Sequence, residues 1–155
     1  RQSMLRDTLT GSMKDAMKAK DQITLSTLRL VNAAIKQQDI DVRASGNEDG
    51  IADSEILSLL QKMIKQGKDA ISQFEKGGRD DLVQKEAATI TVLETYLPEQ
   101  LDAEKIATLI DEAVAATGAE SVRDMGKVMG WLKPHVQGRA DMGAVSASIK
   151  HKLPA

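Results

Sequence analysis

The fold is decided by the stretch at residues 53–78, which reads DSEILSLLQKMIKQGKDAISQFEKGG. From Ile56 onward its apolar residues recur at intervals of three and four, which places them along one stripe of an α-helix. Gly77 and Gly78 then end the pattern, as glycines in a left-handed conformation do after a helix. The stretch therefore predicts an amphipathic helix over about residues 53–76, with one face in a core and the other in solvent.

Six further segments show helical spacing, so we predict an all-α protein. Aromatic residues, which favour strands, make up only 2% of the chain. Pro98 marks the best candidate boundary, because a proline pushes the residue before it out of the helical conformation. We predict a four-helix N-terminal unit over 4–97, a hinge or linker at 98–101 and a three-helix C-terminal unit over 102–153. The approximate helices are 4–19, 23–40, 53–76, 80–97, 102–117, 121–138 and 141–153.

Acidic and hydroxyl side chains lie where several of these helices begin. Such residues cap a helix because a side-chain oxygen accepts a hydrogen bond from a free backbone N–H of the first turn. Ser121 also has an acidic residue, Asp124, three positions later, as in a capping box. The residues predicted to open helices are Asp21, Asp80, Asp102, Ser121 and Asp141.

The composition is typical of an intracellular globular protein. The chain has no cysteine, which excludes disulfides and thiolate metal sites. No apolar run approaches the roughly 20 residues that a membrane span needs, so we expect no membrane partner. We expect the natural protein to start at Met4, after a foreign Arg1, Gln2 and Ser3, and no targeting signal follows. A cytoplasmic protein is therefore expected.

Charge is distributed unevenly along the chain, whose formal net charge is −2. Residues 121–155 hold six Lys or Arg against two Asp, a net charge of +4. Residues 1–120 hold the other 15 positive and 21 negative side chains, a net charge of −6. The last 35 residues thus form a basic segment on an acidic body, which indicates where an anionic partner would bind.

Sequence patterns of catalytic and cofactor sites are missing, so we predict no catalytic residue, no metal and no cofactor. There is no nucleophile elbow, phosphate-binding loop or dinucleotide fingerprint. His135 and His151 have no carboxylate at ligand spacing, which favours surface histidines over a metal pair. The acidic loop at residues 44–50 lacks the ligand spacing of a calcium-binding loop. The protein is therefore expected not to be an enzyme.

An unusual run, MGKVMGWLKP, lies at residues 125–134. Gly126 and Gly130 are one turn apart inside a predicted helix, where each glycine costs about 1 kcal/mol relative to alanine. Two interpretations are open, the close packing of a neighbouring helix and the close approach of a ligand, and spacing alone favours packing. In the second interpretation positive charge around the ligand comes from Lys127, Lys133 and Arg139.

Several stretches of the chain together form a specific combination. They are TLRL (27–30) with AIK (34–36), QFEKGGRDDL (73–82), ETYLPEQL (94–101), MGKVM (125–129) and GRAD (138–141). The combination resembles the YqeY family of small helical proteins over essentially the whole chain from Met4. That family is similar to the C-terminal tail domain of GatB, which belongs to the amidotransferase that amidates Glu-tRNA(Gln) or Asp-tRNA(Asn). Trp131, large for the family pattern, and Gly143 are departures from it.

The resemblance implies a non-catalytic accessory protein that binds tRNA or another RNA. In the amidotransferase the tail domain touches the tRNA body, whereas the catalytic parts of the enzyme have no counterpart in this chain. A description of this chain as a carbon–nitrogen ligase would therefore be inherited from the larger enzyme. Two alternatives stay open: an accessory component of glutamine-dependent amidotransferase (carbon–nitrogen ligase) activity, and a protein-interaction adaptor. The expected partners are tRNA, an amidotransferase or another translation-related protein. The candidate RNA-binding residues are Arg123, Lys127, Lys133, Arg139, Lys150 and Lys152, with Gly126 and Gly130 as close-approach glycines.

Overall fold

The computed structural model describes residues 4–155 of the protein. The expectation that Met4 is the natural start concerns Arg1, Gln2 and Ser3, which lie outside the described residues. Within residues 4–155 the regular elements are helices and no strand is present, which confirms the all-α prediction. None of these helices is long and apolar enough to cross a membrane. They are α1 (Met4–Ala19), α2 (Gln22–Ala44), α3 (Asp53–Lys76), α4 (Asp80–Thr95), α5 (Ala103–Thr117), α6 (Met125–Val136), preceded by a 3-10 turn (Val122–Asp124), and α7 (Met142–Lys152).

The helices form two compact units that divide between Leu97 and Pro98. In the N-terminal unit α3 and α4 form the most extensive helix pair. They approach closely at Gly67, where a Cβ atom would lie 2.9 Å from Cγ1 of Ile90. The core of this unit is aliphatic, and its most deeply buried side chains are Leu9, Leu28, Val31, Ile56, Leu60 and Leu93.

The ends of α2 and α4 differ from the predicted bounds. Helix α2 begins after Asp21, which accepts a hydrogen bond from the backbone N–H of Thr24 as predicted. It continues to Ala44 rather than ending near residue 40, because Val42 packs against the core and stabilises another turn. Helix α4 ends at Thr95, two residues before the predicted end. Helix α4 begins at Asp80, as predicted, although no side-chain hydrogen bond caps its start.

A buried ion pair ties α1, α2 and the loop before α3 together. The guanidinium of Arg6 donates to both carboxylate oxygens of Asp39, at 2.8 and 2.7 Å, and to the carbonyl of Ile51 at 2.9 Å. Asp39 also accepts a hydrogen bond from the backbone N–H of Ile51 at 2.8 Å. Gly50 is left-handed, with φ 81°, and any Cβ there would collide with Asp39. Asp39 is thus the acceptor that fixes the loop onto the helices.

The C-terminal unit has its own aliphatic core. Its helices begin and end as the sequence predicts at several points: Asp102 caps α5 through the N–H of Lys105, and Asp141 caps α7 through the N–H of Gly143. Gly118 ends α5 in the left-handed conformation, with φ 67°. The buried core side chains are Ile110, Ala113, Val128, Leu132, Val136, Ala140, Val145, Ile149 and Leu153.

Residues 98–101, predicted as a hinge, are hydrogen-bonded to the turn between α6 and α7. The backbone N–H of Leu101 donates to the carbonyl of Arg139 at 2.8 Å. The side-chain amide of Gln100 donates to the carbonyl of Gly138, also at 2.8 Å. This segment is therefore part of the C-terminal unit.

Candidate nucleic-acid interface

Helix α6 presents a basic face to solvent. Because successive residues turn by about 100°, Gly126, Lys127, Gly130 and Lys133 share one side of the helix, opposite its buried side. All four of these residues are exposed, and so is Arg123 in the turn before the helix. The opposite side is anchored in the core by Val128, Leu132 and Val136. The apolar spacing of α6 therefore fixes which side chains face outward.

Gly126 and Gly130 lie in open space. A Cβ atom built at either glycine would meet no atom of the described residues within 4 Å outside the local helix. The favoured interpretation, in which the glycines admit a neighbouring helix, is therefore wrong. A helix packed against them would place its atoms within contact distance, as Ile90 does at Gly67. The remaining interpretation is the close approach of a ligand to the helix backbone, which is exposed at Gly126 and Gly130 between cationic side chains.

The start of this face is fixed by reciprocal capping. Ser121 Oγ accepts a hydrogen bond from the N–H of Arg123 at 3.3 Å, and the carboxylate of Asp124 accepts one from the N–H of Glu120 at 2.9 Å. The hydrogen bond from Glu120 lowers the pKa of Asp124, although burial opposes the change. Lys127 lies 3.9 Å from Asp124 but remains 70% exposed, a type of ion pair that contributes little. Lys127 thus stays accessible to an anion.

Lys133 and Lys150 flank the seam between α6 and α7. Ser146 Oγ lies 3.8 Å from the sulfur of Met129, so these two residues mark the facing sides of the helices. Lys150 follows Ser146 by one turn, and Lys133 follows Met129 by one turn. Both lysines are exposed, and within residues 4–155 neither forms an ion pair. The structure therefore brings Lys150 toward the α6 side of α7.

Arg139 and Lys152 are engaged elsewhere in the C-terminal unit. The guanidinium of Arg139 donates to the carbonyls of Glu99 at 3.2 Å and His135 at 3.4 Å. Lys152 forms an ion pair with Asp111 on α5. These contacts give Arg139 a role in holding residues 98–101 against the end of α6. Among residues 4–155, Arg123, Lys133 and Lys150 are thus the members of the predicted set without an ion pair, and Lys127 is loosely paired.

An aromatic pair borders the basic face. Trp131 and His135 stack with ring centroids 4.6 Å apart and an interplanar angle of 28°. Trp131 is partly buried against the core, whereas His135 is exposed. The spacing of four residues on a helix is the sequence signal for this contact, whereas the family pattern marks Trp131 only as a departure and the lack of a nearby carboxylate indicates only a surface histidine at His135. The stack adds a flat apolar surface beside the cations.

The groups gathered on α6 are suited to recognition. Cations attract phosphates, exposed backbone admits close approach, and aromatic rings stack on bases. Within the part of the chain that the structure describes, no group of three or more His, Asp or Glu side chains gathers as metal ligands would. The cations, open backbone and aromatic rings of α6 favour binding through shape and charge.

Curated proteins resemble the chain over nearly its whole length. The relative from Pyrenophora tritici-repentis is 34% identical over 151 residues, which cover 95% of this chain and 80% of the relative. The relative from Kluyveromyces lactis is 34% identical over 94% of this chain and 80% of its own length. The relative from Lachancea thermotolerans is 31% identical over 91% and 76%, respectively. All three are named "Altered inheritance of mitochondria protein 41, mitochondrial".

These names contradict the expectation of a cytoplasmic protein. That expectation came from the missing leader pattern at the start of the chain, whereas the relatives are described as mitochondrial proteins. The composition of a helical unit does not record its compartment, which explains why the prediction was wrong.

The family comparison agrees with the resemblance found from the sequence stretches. The model of the family described as Yqey-like protein matches residues 6–153. The matched range includes both helical units and every residue of the α6 face. The chain therefore belongs to the Yqey-like protein family.

Proposed function

We propose that the protein is a non-catalytic, RNA-binding accessory protein that contacts tRNA or a similar RNA through the exposed face of α6. The observation that carries the proposal is the pair of open glycines, Gly126 and Gly130, between exposed cations. Glycine inside a helix costs about 1 kcal/mol relative to alanine, and no packed neighbour within residues 4–155 offsets that cost. A ligand that approaches the helix backbone supplies the missing benefit.

RNA is the anion that best fits the spread of these cations. Arg123, Lys127 and Lys133 extend over about three turns of α6 and the turn before it, about 15 Å at 1.5 Å per residue. A small anion needs converging donors, whereas a phosphate backbone presents charges at intervals along its length. Lys150 on α7 widens the same cationic surface across the seam.

The charge balance of the chain supports a defined orientation of the bound RNA. The segment from residue 121 carries +4, and the preceding residues carry −6. An acidic body repels a polyanion, so productive encounters are steered to the basic end. The resemblance to the tail domain of GatB favours tRNA within the class of RNAs, and it alone motivates a link to an amidotransferase.

Titration with tRNA at low salt tests the proposal. The joint variant Arg123→Ala, Lys127→Ala and Lys133→Ala is expected to lower the affinity by about tenfold or more, since each phosphate contact adds to sequence-independent binding. The matched control removes three exposed lysines of α3 and leaves the affinity nearly unchanged. Equal losses in both variants, or no binding by the wild type, contradict the proposal. The control residues are Lys62, Lys65 and Lys68.

A protein-interaction adaptor is the second candidate, favoured by exposed apolar residues on α2. Ile23, Leu30 and Ile40 are 47%, 59% and 49% exposed and lie on one side of that helix. An exposed apolar stripe of this kind is typical of helix-mediated association. The candidate predicts that the wild type, but not Leu30→Glu, retains one protein at equal stoichiometry in a pull-down without RNA. If the wild type and Leu30→Glu retain the partner protein equally, the adaptor candidate is contradicted.

A further inference from the structure

The stacked pair Trp131 and His135 continues a ridge that starts at Lys127. The three residues are spaced by four, so they follow one another along the same side of α6. One face of the imidazole rests on the indole at 4.6 Å. His135 is nevertheless exposed, which leaves its other face to solvent. The ridge therefore ends in an aromatic ring that is held in place on one side and open on the other.

We infer that Trp131 and His135 form a stacking platform for one unpaired nucleobase of the bound RNA. This inference rests on the proposed RNA-binding function and specifies the class of RNA. A base on the outer face of His135 extends the existing two-ring stack to three rings, while Lys127 on the same ridge is placed to meet a phosphate. Bases inside a duplex are stacked on both faces and cannot offer a free one. The platform therefore selects single strands, loops or ends.

Preorganisation strengthens this arrangement. The indole is packed against the C-terminal core and restrains the imidazole, so binding a base orders few additional side-chain rotamers. The end of α6 is also fixed, because Arg139 donates to the carbonyl of His135 at 3.4 Å. A ring held in this way differs from an isolated surface histidine such as His151.

The test compares a single-stranded RNA of about 12 nucleotides with the duplex that it forms with its complement. His135→Ala is expected to weaken binding of the single strand by about 5- to 150-fold, the range that removal of one base–aromatic stack produces. His135→Phe keeps an aromatic face and restores most of the affinity. His151→Ala, which removes the other exposed histidine, is the matched control and has little effect. Duplex affinity changes little in all three variants.

The result that overturns the platform is a single-strand affinity that His135→Ala lowers no more than His151→Ala does. If RNA binding still depends on the α6 cations in that case, the proposed function stands without the platform. If the wild type binds neither RNA, the proposed function fails and the platform fails with it. Far-UV circular dichroism of the helices verifies that each variant remains folded.

Discussion

Replacement of Asp39 by asparagine tests the packing of the N-terminal unit. Asp39 is 5% exposed and accepts three hydrogen bonds, two from Arg6 and one from the N–H of Ile51. Asparagine has nearly the same shape but no charge, and its amide N–H groups oppose the guanidinium as donor against donor. The substitution therefore removes the carboxylate that pairs with Arg6 at 2.7 Å and leaves the fold otherwise unchanged.

The expected loss of stability follows from the burial of the two partners. Removing one member of a buried ion pair costs about 3–5 kcal/mol. The side chain of Arg6 retains 28% exposure to water and Asp53 also stabilises its charge, so the lower end, about 3 kcal/mol, applies. For a unit of this size, that loss lowers the melting temperature by about 12–24 °C.

Thermal unfolding followed by circular dichroism measures this loss. Asp41→Asn is the matched control, because Asp41 is exposed on the same helix and its side chain bonds a neighbouring glutamine side chain. Its effect is expected to stay within about 0.5 kcal/mol. A decrease for Asp39→Asn no larger than that of Asp41→Asn refutes the account of the ion pair.

The pH dependence provides a second signature of the same pair. The hydrogen bonds from Arg6 lower the pKa of Asp39 below its usual range, although burial opposes them. A carboxylate with a lowered folded-state pKa contributes its full stability above the unfolded value of about 3.9, and that contribution is lost as pH falls through the folded-state pKa. The stability difference between wild type and Asp39→Asn should therefore shrink below about pH 4. A difference that is constant down to about pH 2 contradicts this explanation.

Two further predictions concern the C-terminal unit. Gly126→Ala and Gly130→Ala are each expected to stabilise the protein by about 0.4–1 kcal/mol and to weaken RNA binding, since the added methyl groups meet no protein atom but obstruct the ligand; a gain of stability without loss of RNA affinity contradicts the role given to the open strip. Arg139→Ala is expected to lower the stability of the unit by about 1 kcal/mol, because its partly exposed guanidinium holds two backbone carbonyls. Arg139→Ala should lower the tRNA affinity less than Lys133→Ala does. A larger decrease would show that Arg139 contacts the RNA.

Local patterns account for most of the helix assignments. Three- and four-residue spacing located every helix, and side-chain oxygens at Asp21, Asp102 and Asp141 form the capping bonds that their positions indicate. The errors lie where tertiary contacts extend or shorten a helix. Helix α2 is one turn longer than predicted because Val42 packs against the core, and local sequence patterns do not reveal this contact.

The candidate site was predicted in part. Sequence spacing placed Gly126 and Gly130 on one face, but whether that face is covered depends on how α5 and α7 pack, which spacing does not reveal. The hydrogen bond between Arg139 and Glu99 joins residues 40 positions apart, so no local pattern shows it, and the charge of Arg139 alone makes it a candidate RNA-binding residue. A sequence shows that a side chain is charged, but it does not show that the side chain donates hydrogen bonds to carbonyls far away in the chain.

The salt dependence of tRNA affinity tests the central claim most directly. The slope of log affinity against log salt counts the phosphate contacts, at about 0.7–0.9 for each contact. Joint removal of Arg123, Lys127 and Lys133 is predicted to make the slope shallower by about 2 to 3, whereas removal of three lysines on α3 leaves it unchanged. Equal slopes for the wild type and the α6 variant contradict the claim that this face binds RNA.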